Sequence, residues 1–399
     1  MAKPITTTTE TPVYFTTTST TNKTEVQEIS SNNGFISSEW ITDKISGHSS
    51  GIVETETGFC VVFNGRNKDI EEKTKKGVWF TAFDKVTQKW MTPIEIVKPD
   101  QSLSNCSSPI ICTLPPCQHA PSGELLVFFR AGRSHLTDEM QSYILRRPLD
   151  KTLEWSKGWD LKELPKNIIG PTKTQPTVTP EGFIFCGSST QTGPEKETAI
   201  HVEISKDRGL TWSRSPSLKV EQKYGPRGGL EPALIWNKNE LRLIARNRSN
   251  QEEIKGFALT AVSKDGGITW PAHLSVCKTL RNKDSGLDIV NLGQALIKGL
   301  EIPSGITVCF FNAHSRKELN MAVSRDGGET WSDPLIIDNK SGEFPAAILS
   351  KDGKIHVTYA SDFKAGDKTQ MIKHVVIDPL SIRMNNLYLF QTVPTGNEL

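Results

Sequence analysis

The sequence predicts an all-β fold, a six-bladed β-propeller of four-stranded antiparallel blades, and three observations carry that expectation. One turn recurs as SKDRGLTWS from Ser205, SKDGGITWP from Ser263 and SRDGGETWS from Ser324, each of the form Ser-x-Asp-x-Gly-x-Thr-Trp. Two worn copies precede them, FDKVTQKW and PLDKTLEW, so Trp90, Trp155, Trp212, Trp270 and Trp331 stand 65, 57, 58 and 61 residues apart. Between these tryptophans lie short apolar runs with period-two alternation and glycine-containing turns, the pattern of a strand meander. A repeat of roughly 40 to 60 residues built this way is one blade, because a lone four-stranded sheet buries its faces only by stacking on neighbours around an axis.

The elements follow in chain order. Residues 1–33 are Thr-rich low-complexity sequence and are expected to form a flexible tail, which leaves residues 34–399 for the propeller. Gly34 to Thr42 (GFISSEWIT) is expected to close the ring by joining the last blade, which removes an open sheet edge. Six units then open with a strand, a hairpin turn and a second strand. They are SSGIVETETGFCVVFNGR from Ser49, SSPIICTLPPCQHAPSGELLVFFRAGR from Ser107, TQPTVTPEGFIFCGSST from Thr174, LEPALIWNKNELRLIARN from Leu230, LGQALIKGLEIPSGITVCFFNAHSR from Leu292 and EFPAAILSKDGKIHVTYASD from Glu343. Glu181-Gly182, Ser304-Gly305 and Asp352-Gly353 supply hairpin turns. In each box the Asp is placed to accept backbone N–H groups, the Gly to take positive φ and the Trp to wedge against a strand, so the box is read as a fastener and not as a reactive site.

Composition excludes several function classes. There are 47 Lys and Arg against 45 Asp and Glu, and no basic stripe or run suited to nucleic acid or a membrane surface. No apolar stretch approaches a membrane span and no secretion signal opens the chain, so a cytoplasmic location is expected. The seven cysteines are an odd number, and Cys60, Cys186, Cys277 and Cys309 fall within or beside strand-like apolar runs, as buried thiols do. Cys112 and Cys117 lack partners at ligand spacing, so no metal is expected, and no glycine-rich phosphate loop or dinucleotide fingerprint implies a cofactor. The oligomeric state is left open.

Antiparallel neighbours place the loop entering a first strand and the loop leaving a second on the same face of the ring. Entering first strands this register supplies His48, Gln175, Glu231 and Asp288. Leaving second strands it supplies Arg66, Arg133, Arg246 and Arg316. Guanidinium groups grip carboxylates bidentately, so arginines and a glutamate around one axial pocket predict a cleft for an anionic small molecule.

Asp boxes on a six-fold propeller, with Glu-Pro entering a blade and Arg leaving its second strand, resemble the sialidase (neuraminidase) superfamily over roughly residues 45 to 380. That resemblance implies three arginines on a substrate carboxylate, a Tyr paired with a Glu as nucleophile and an Asp as acid/base. LEPALI followed by LIARN resembles the segment carrying the Glu and the second arginine, which maps them to Glu231 and Arg246. HSRKELNMAVSRDGGETW maps the third arginine to Arg316. Two parts depart. The first arginine has no match before Trp40, and blade one opens instead with GHSSGIVE, which brings His48. Where the nucleophilic Tyr is expected, GEFPAAI offers Phe344, which has no hydroxyl and cannot form a glycosyl-enzyme bond. Asp69 is the near candidate for the acid/base, and Tyr359 lies a hairpin away. Three readings stay open: a sialidase-like enzyme on an acidic sugar, with Glu231 or His48 as general acid or base; an intracellular isomerase, cyclase or cycloaddition catalyst of secondary metabolism in the same pocket; and a non-catalytic glycan-binding propeller.

Overall fold

The structure is a computed structural model that describes residues 35–388 apart from 43, 68–74, 101–102, 104, 134–135, 151–153, 238–239, 363–368 and 385–386. Six antiparallel four-stranded sheets follow one another in chain order. Blade one has Ile45–Glu54, Gly58–Asn67, Gly77–Asp84 and Lys89–Trp90, with Ile94–Val97 added on Gly77–Asp84. Blade two has Cys106–Leu114, Glu124–Gly132, Met140–Pro148 and Asp160–Glu163. Blade three has Thr177–Val178, Ile184–Thr192, Glu197–Ser205 and Ser213–Arg214. Blade four has Gly229–Asn237, Glu240–Asn247, Phe257–Ser263 and Ser275–Arg281. Blade five has Asp288–Asn291, Thr307–Phe311, Leu319–Ser324 and Leu335–Asp338. Blade six has Glu343–Leu349, Ile355–Asp362 and Gln370–Ile377, and its outer strand is Phe35–Trp40 from the other end of the chain. The tail expected over 1–33 lies outside the described residues.

Why the strands read as nearly continuous apolar runs is visible in the core. Each blade is buried on both faces, as a central layer must be. Along Gly58–Asn67, Phe59, Val61 and Phe63 pack toward blade six, whereas Cys60 and Val62 pack toward blade two. Blade four divides in the same way, with Leu241, Leu243 and Ala245 facing blade three and Ile235 and Ile244 facing blade five. Such pairing of faces yields clusters between blades one and two, two and three, three and four, four and five, five and six, and six and one. The ring is closed by hydrophobic burial as well as by strand pairing.

The three intact boxes behave as fasteners. Asp265 Oδ1 accepts from Ile268 N at 3.1 Å and Thr269 N at 2.8 Å, and Ser263 Oγ donates to it at 2.7 Å. Trp270 Nε1 donates to Gly267 O at 3.0 Å, and Gly267 has φ +91°. The hydrogen bond from the Thr269 hydroxyl, followed by those from Thr269 N and Ser263, holds the Asp265 carboxyl down to about 2. In the worn copy of blade one Asp84 still receives Val86 N at 2.7 Å, but Trp90 Nε1 donates to Glu39 of the closing strand at 2.9 Å.

Blade five departs from the expected register. Its inner strand is Asp288–Asn291, paired with Thr307–Phe310, and the apolar LGQALI segment lies in a small side hairpin, Leu296–Ile297 against Leu300–Glu301. Gly293 N donates to Asn291 Oδ1 at 2.9 Å and Gln294 has φ +66°, which turns the chain out of the sheet just after the buried Leu292 and ahead of residues 295–297.

Candidate functional site

The site is built by one backbone device used four times. The inner strand of blades one, two, four and six carries one extra residue, at Gly47/Ser50, Ser107/Ile110, Leu230/Ala233 and Glu343/Ala346. In three of them the extra step is an X-Pro pair whose first residue has positive φ: Ser108 at +48°, Glu231 at +53° and Phe344 at +53°. Proline has no N–H to give a ladder and is tolerated at a bulge, and a bulge re-aims the side chain beside it. Holding a non-glycine residue at positive φ costs about 1–3 kcal/mol, a strain that the surrounding ladder must outweigh.

His48, Ser108, Glu231 and Phe344 line one cavity of about 740 Å³ together with Arg130, Arg246, Arg248 and Arg316. Glu231 and Phe344 meet at Gly286, where a Cβ would lie 3.2 Å from Glu231 Oε2 and 3.0 Å from the Phe344 ring. The Phe344 ring is flanked by His48, with centroids 4.6 Å apart, and by the Arg316 guanidinium 5.9 Å from its centre. Arg246 is 7 % exposed. Its Nε donates to Asp284 Oδ1 at 2.7 Å and its Nη1 to Glu231 Oε2 at 3.1 Å. Burial opposes the Arg246 charge, but the Glu231 and Asp284 carboxylates outweigh it and push the guanidinium above its ordinary range. Arg316 Nη2 donates to Asp284 O at 2.6 Å, and its Nη1 stands 3.8 Å from Glu343.

Other expected residues lie elsewhere. Gln175 sits deeper along the axis, where its Nε2 donates to Ile52 O and, at 2.9 Å, to Ile111 O, joining the inner strands of blades one and two. Asp288 accepts from Ile289 N at 2.9 Å and from Ala347 N at 2.8 Å, joining blade five to blade six. Both border a separate hollow of about 200 Å³. Gln175 precedes the short inner strand Thr177–Val178 and Asp288 opens Asp288–Asn291, neither of which carries the bulge, and both side chains satisfy backbone groups instead of facing the cavity. Burial raises Asp288 to about 6 against the opposing charge of Lys173, and burial lowers Lys173, whose Nζ donates to Pro345 O at 2.6 Å. Arg66 lines an adjoining hollow of about 230 Å³ with His48, Asn64 and Lys76. Arg133 is exposed and does not border the cavity. Asp69 lies outside the described residues. Tyr359 is buried in the core, donating to Asp338 Oδ2 at 2.8 Å.

Several site residues, among them Asp284, Arg130, Arg248 and Ser108, were not singled out from the sequence. Asp284, at φ +45°, joins Arg246, Arg248 and Arg316. Arg130 pairs with Ser107 just before the blade-two bulge, as Arg246 pairs with Leu230 in blade four. An ungapped match of ELLVFFR to ELRLIAR places Arg130 on Arg246 and would have preferred it to Arg133. Burial pushes the thiols of Cys60 and Cys112 up to about 12, which keeps them protonated and unreactive. Among the described residues no group of His, Cys, Asp and Glu has a metal-holding arrangement, and no helix is long and apolar enough to cross a membrane.

Solved structures share this architecture. The NanB sialidase from Streptococcus pneumoniae superposes with a TM-score of 0.60 at 11% identity, over 91% of this chain and 71% of that one. A mutant of Trypanosoma rangeli sialidase displaying trans-sialidase activity gives 0.58 at 13%, over 83% and 54%. The Penicillium chrysogenum alpha-L-arabinanase complexed with arabinobiose gives 0.57 at 13%, over 85% and 94%. At such identities the likeness is one of fold, and the chain spans about half the length of the trypanosomal sialidases. No curated protein matches the chain in sequence. The sequence pattern of the BNR repeat-like domain matches residues 58–357.

Proposed function

Because the chain belongs to the BNR repeat-like domain family of sialidase-like propellers, we propose that its axial cavity binds and transforms an anionic small molecule, an acidic sugar in the first instance, without a tyrosine nucleophile. One observation carries this reading. Glu231, Arg246, Arg316 and His48 share a single cavity with a bare benzene ring, Phe344, at the position that the sialidase resemblance gives to the nucleophile.

The residues constrain the chemistry. A retaining hydrolysis needs a side chain that attacks carbon, and Phe344 has none to offer. An inverting hydrolysis or an elimination needs only one group to give a proton and one to take it. Glu231, both of whose oxygens accept from Arg246 Nη1, would take a proton on a remaining lone pair, and His48, beside the Phe344 ring in the same cavity, would exchange the other. The cationic wall would stabilise charge that develops on a carboxylate or enolate in such a step.

Incubation of the protein with unsaturated and saturated uronides, sialosides and neutral glycosides, followed by product chromatography and ultraviolet absorbance for a new C=C bond, tests the proposal. Turnover of an acidic substrate that survives Phe344→Ala but not Glu231→Gln supports it. Turnover of neutral glycosides alone would sink it. Binding of acidic sugars with no turnover favours the non-catalytic reading, for which the engagement of Glu231 by Arg246 already speaks.

A further inference from the structure

We infer that the anion anchor of this cavity is Arg130, and that Arg246 and Arg316 serve mainly to hold Glu231 and the Asp284 turn. This rests on the reading of the cavity as an anion site and names the group that makes it one. An arginine has five N–H donors in a fixed fork, and their partners can be counted. Arg246 spends its Nε on Asp284 and its Nη1 on both oxygens of Glu231. Arg316 gives Nη2 to the Asp284 carbonyl, has Glu343 beside Nη1 and lays its face toward Phe344. Three carboxylates, Glu231, Asp284 and Glu343, thus stand against three guanidinium groups, since Arg248 Nε also lies 3.4 Å from Asp284 Oδ1. Their charges balance, so an incoming carboxylate would compete with internal partners.

Arg130 is different. Its Nε and Nη1 are buried and have no hydrogen-bond acceptor among the described residues. The carboxylates that act on it, Glu231 and Glu203, do so through charge alone and are occupied elsewhere. Glu231 holds Arg246, and Glu203 accepts from Ile169 N at 3.1 Å and Gly170 N at 2.7 Å with Arg214 3.6 Å away. Buried donors with no acceptor are costly in a folded protein, and a carboxylate held against the end of Arg130 that lines the cavity would offset that cost through charge and a hydrogen bond. The same cavity is lined by Ser107, Ser108, Thr137, Thr172, Ser189 and Gln191, and also by the charged Lys76, Glu139 and Lys196. A guanidinium without an internal acceptor and hydroxyls in one cavity suit a monocarboxylate sugar, with its acid on Arg130 and its ring hydroxyls on Ser, Thr and Gln groups.

Binding of D-glucuronate, N-acetylneuraminate and neutral D-glucose is to be measured by titration calorimetry on the full chain, on Arg130→Met, Arg130→Lys, Arg246→Met and Arg316→Met, with melting curves for each. The wild type is expected to bind an acid and not glucose. Arg130→Met should weaken the acid about tenfold or more, with an unchanged or higher melting temperature, since it removes an unmet buried charge. Arg130→Lys should retain part of the affinity. Arg246→Met should melt earlier, because Glu231 and Asp284 lose their partner, and Arg316→Met should weaken binding by less than about threefold. Acid binding kept in full by Arg130→Met would overturn the anchor alone, as would an Arg130→Met that melts as early as Arg246→Met. Failure of both acids to bind the wild type would overturn the anion reading and the anchor with it.

Discussion

His48 and Phe344 pack ring against ring across the seam where blade one meets blade six, with centroids 4.6 Å apart and planes inclined by 45°. They come from opposite ends of the sequence, and the contact exists only because the ring is closed. Phe344 also stands beside Arg316, so one benzene ring sets the position of a candidate proton carrier and of a cation. Phe344→Ala should therefore loosen both, lowering affinity for an acidic sugar and raising the mobility of His48. Imidazole resonances followed by NMR check this, and an unchanged His48 spectrum would count against it. Phe344→Tyr adds a single hydroxyl and is expected to fold with a melting temperature close to wild type.

The Glu231–Arg246 pair should behave as a buried unit. Removing one partner leaves the other charged and poorly hydrated, a loss of about 3 kcal/mol, whereas removing both costs less than the sum. Urea unfolding of Glu231→Gln, Arg246→Met and the double variant measures the coupling, and strictly additive effects would refute it.

Acid should open the ring at its seam. Trp90 Nε1 and His374 Nδ1 both meet Glu39 Oε1 at 2.9 Å, and His356 Nδ1 lies 3.0 Å from His374 Nε2. Burial, then the His374 charge, lowers His356 from 6.5 to about 3, with Lys354 and Lys85 adding to the effect and Asp352 opposing it. Burial opposes ionisation of Glu39, yet the hydrogen bonds from His374 and Trp90 and the His374 charge hold it below its ordinary 4.5. Both folded values lie below their unfolded ones, so the stability they contribute is whole above pH 6.5 and drains as pH falls toward about 3. Hydrogen exchange should show the amides of Phe35–Trp40 losing protection at pH 4 before those of blade three do, and His356→Leu should flatten that dependence. Uniform loss of protection across all blades would be the contrary result.

The boxes should matter for stability and not for the ligand. Asp326→Ala removes an acceptor of Glu329 N at 3.0 Å and Thr330 N at 2.9 Å on the outer rim. A lower melting temperature with unaltered sugar binding is expected from paired melting and calorimetric measurements. A loss of binding without a loss of stability would assign the box a role at the site.

How far the residues announced this arrangement depends on which interaction decides each position. The blades were legible because the Ser-Asp-Gly-Thr-Trp turns are local and the apolar alternation is periodic. His48, Glu231, Arg246 and Arg316 were placed by the loops that enter first strands and leave second strands, and Phe344 by the family resemblance, and they share the cavity. Arg133, Gln175 and Asp288 had the same kind of support, and they border other surfaces. Their positions depend on a one-residue bulge, or its absence, and on which neighbouring carbonyl or amide lacks a partner. Blade five misled for a related reason: the largely apolar LGQALI advertises a strand, while the turn at Asn291, Gly293 and Gln294 takes the chain out of the sheet within its first residues. Asp284 left no periodic trace, since its role comes from a loop that reaches three arginines on two blades.

The X-Pro bulges bear on how such a ring changes its chemistry over time. At Ser108, Glu231 and Phe344 the ladder resumes two residues later, whatever side chain stands on the kink. A hydroxyl, a carboxylate and an aromatic ring already occupy equivalent sockets in one molecule. Descent can therefore replace the reactive atom on one blade by a single codon change and leave five others, with their frame, untouched.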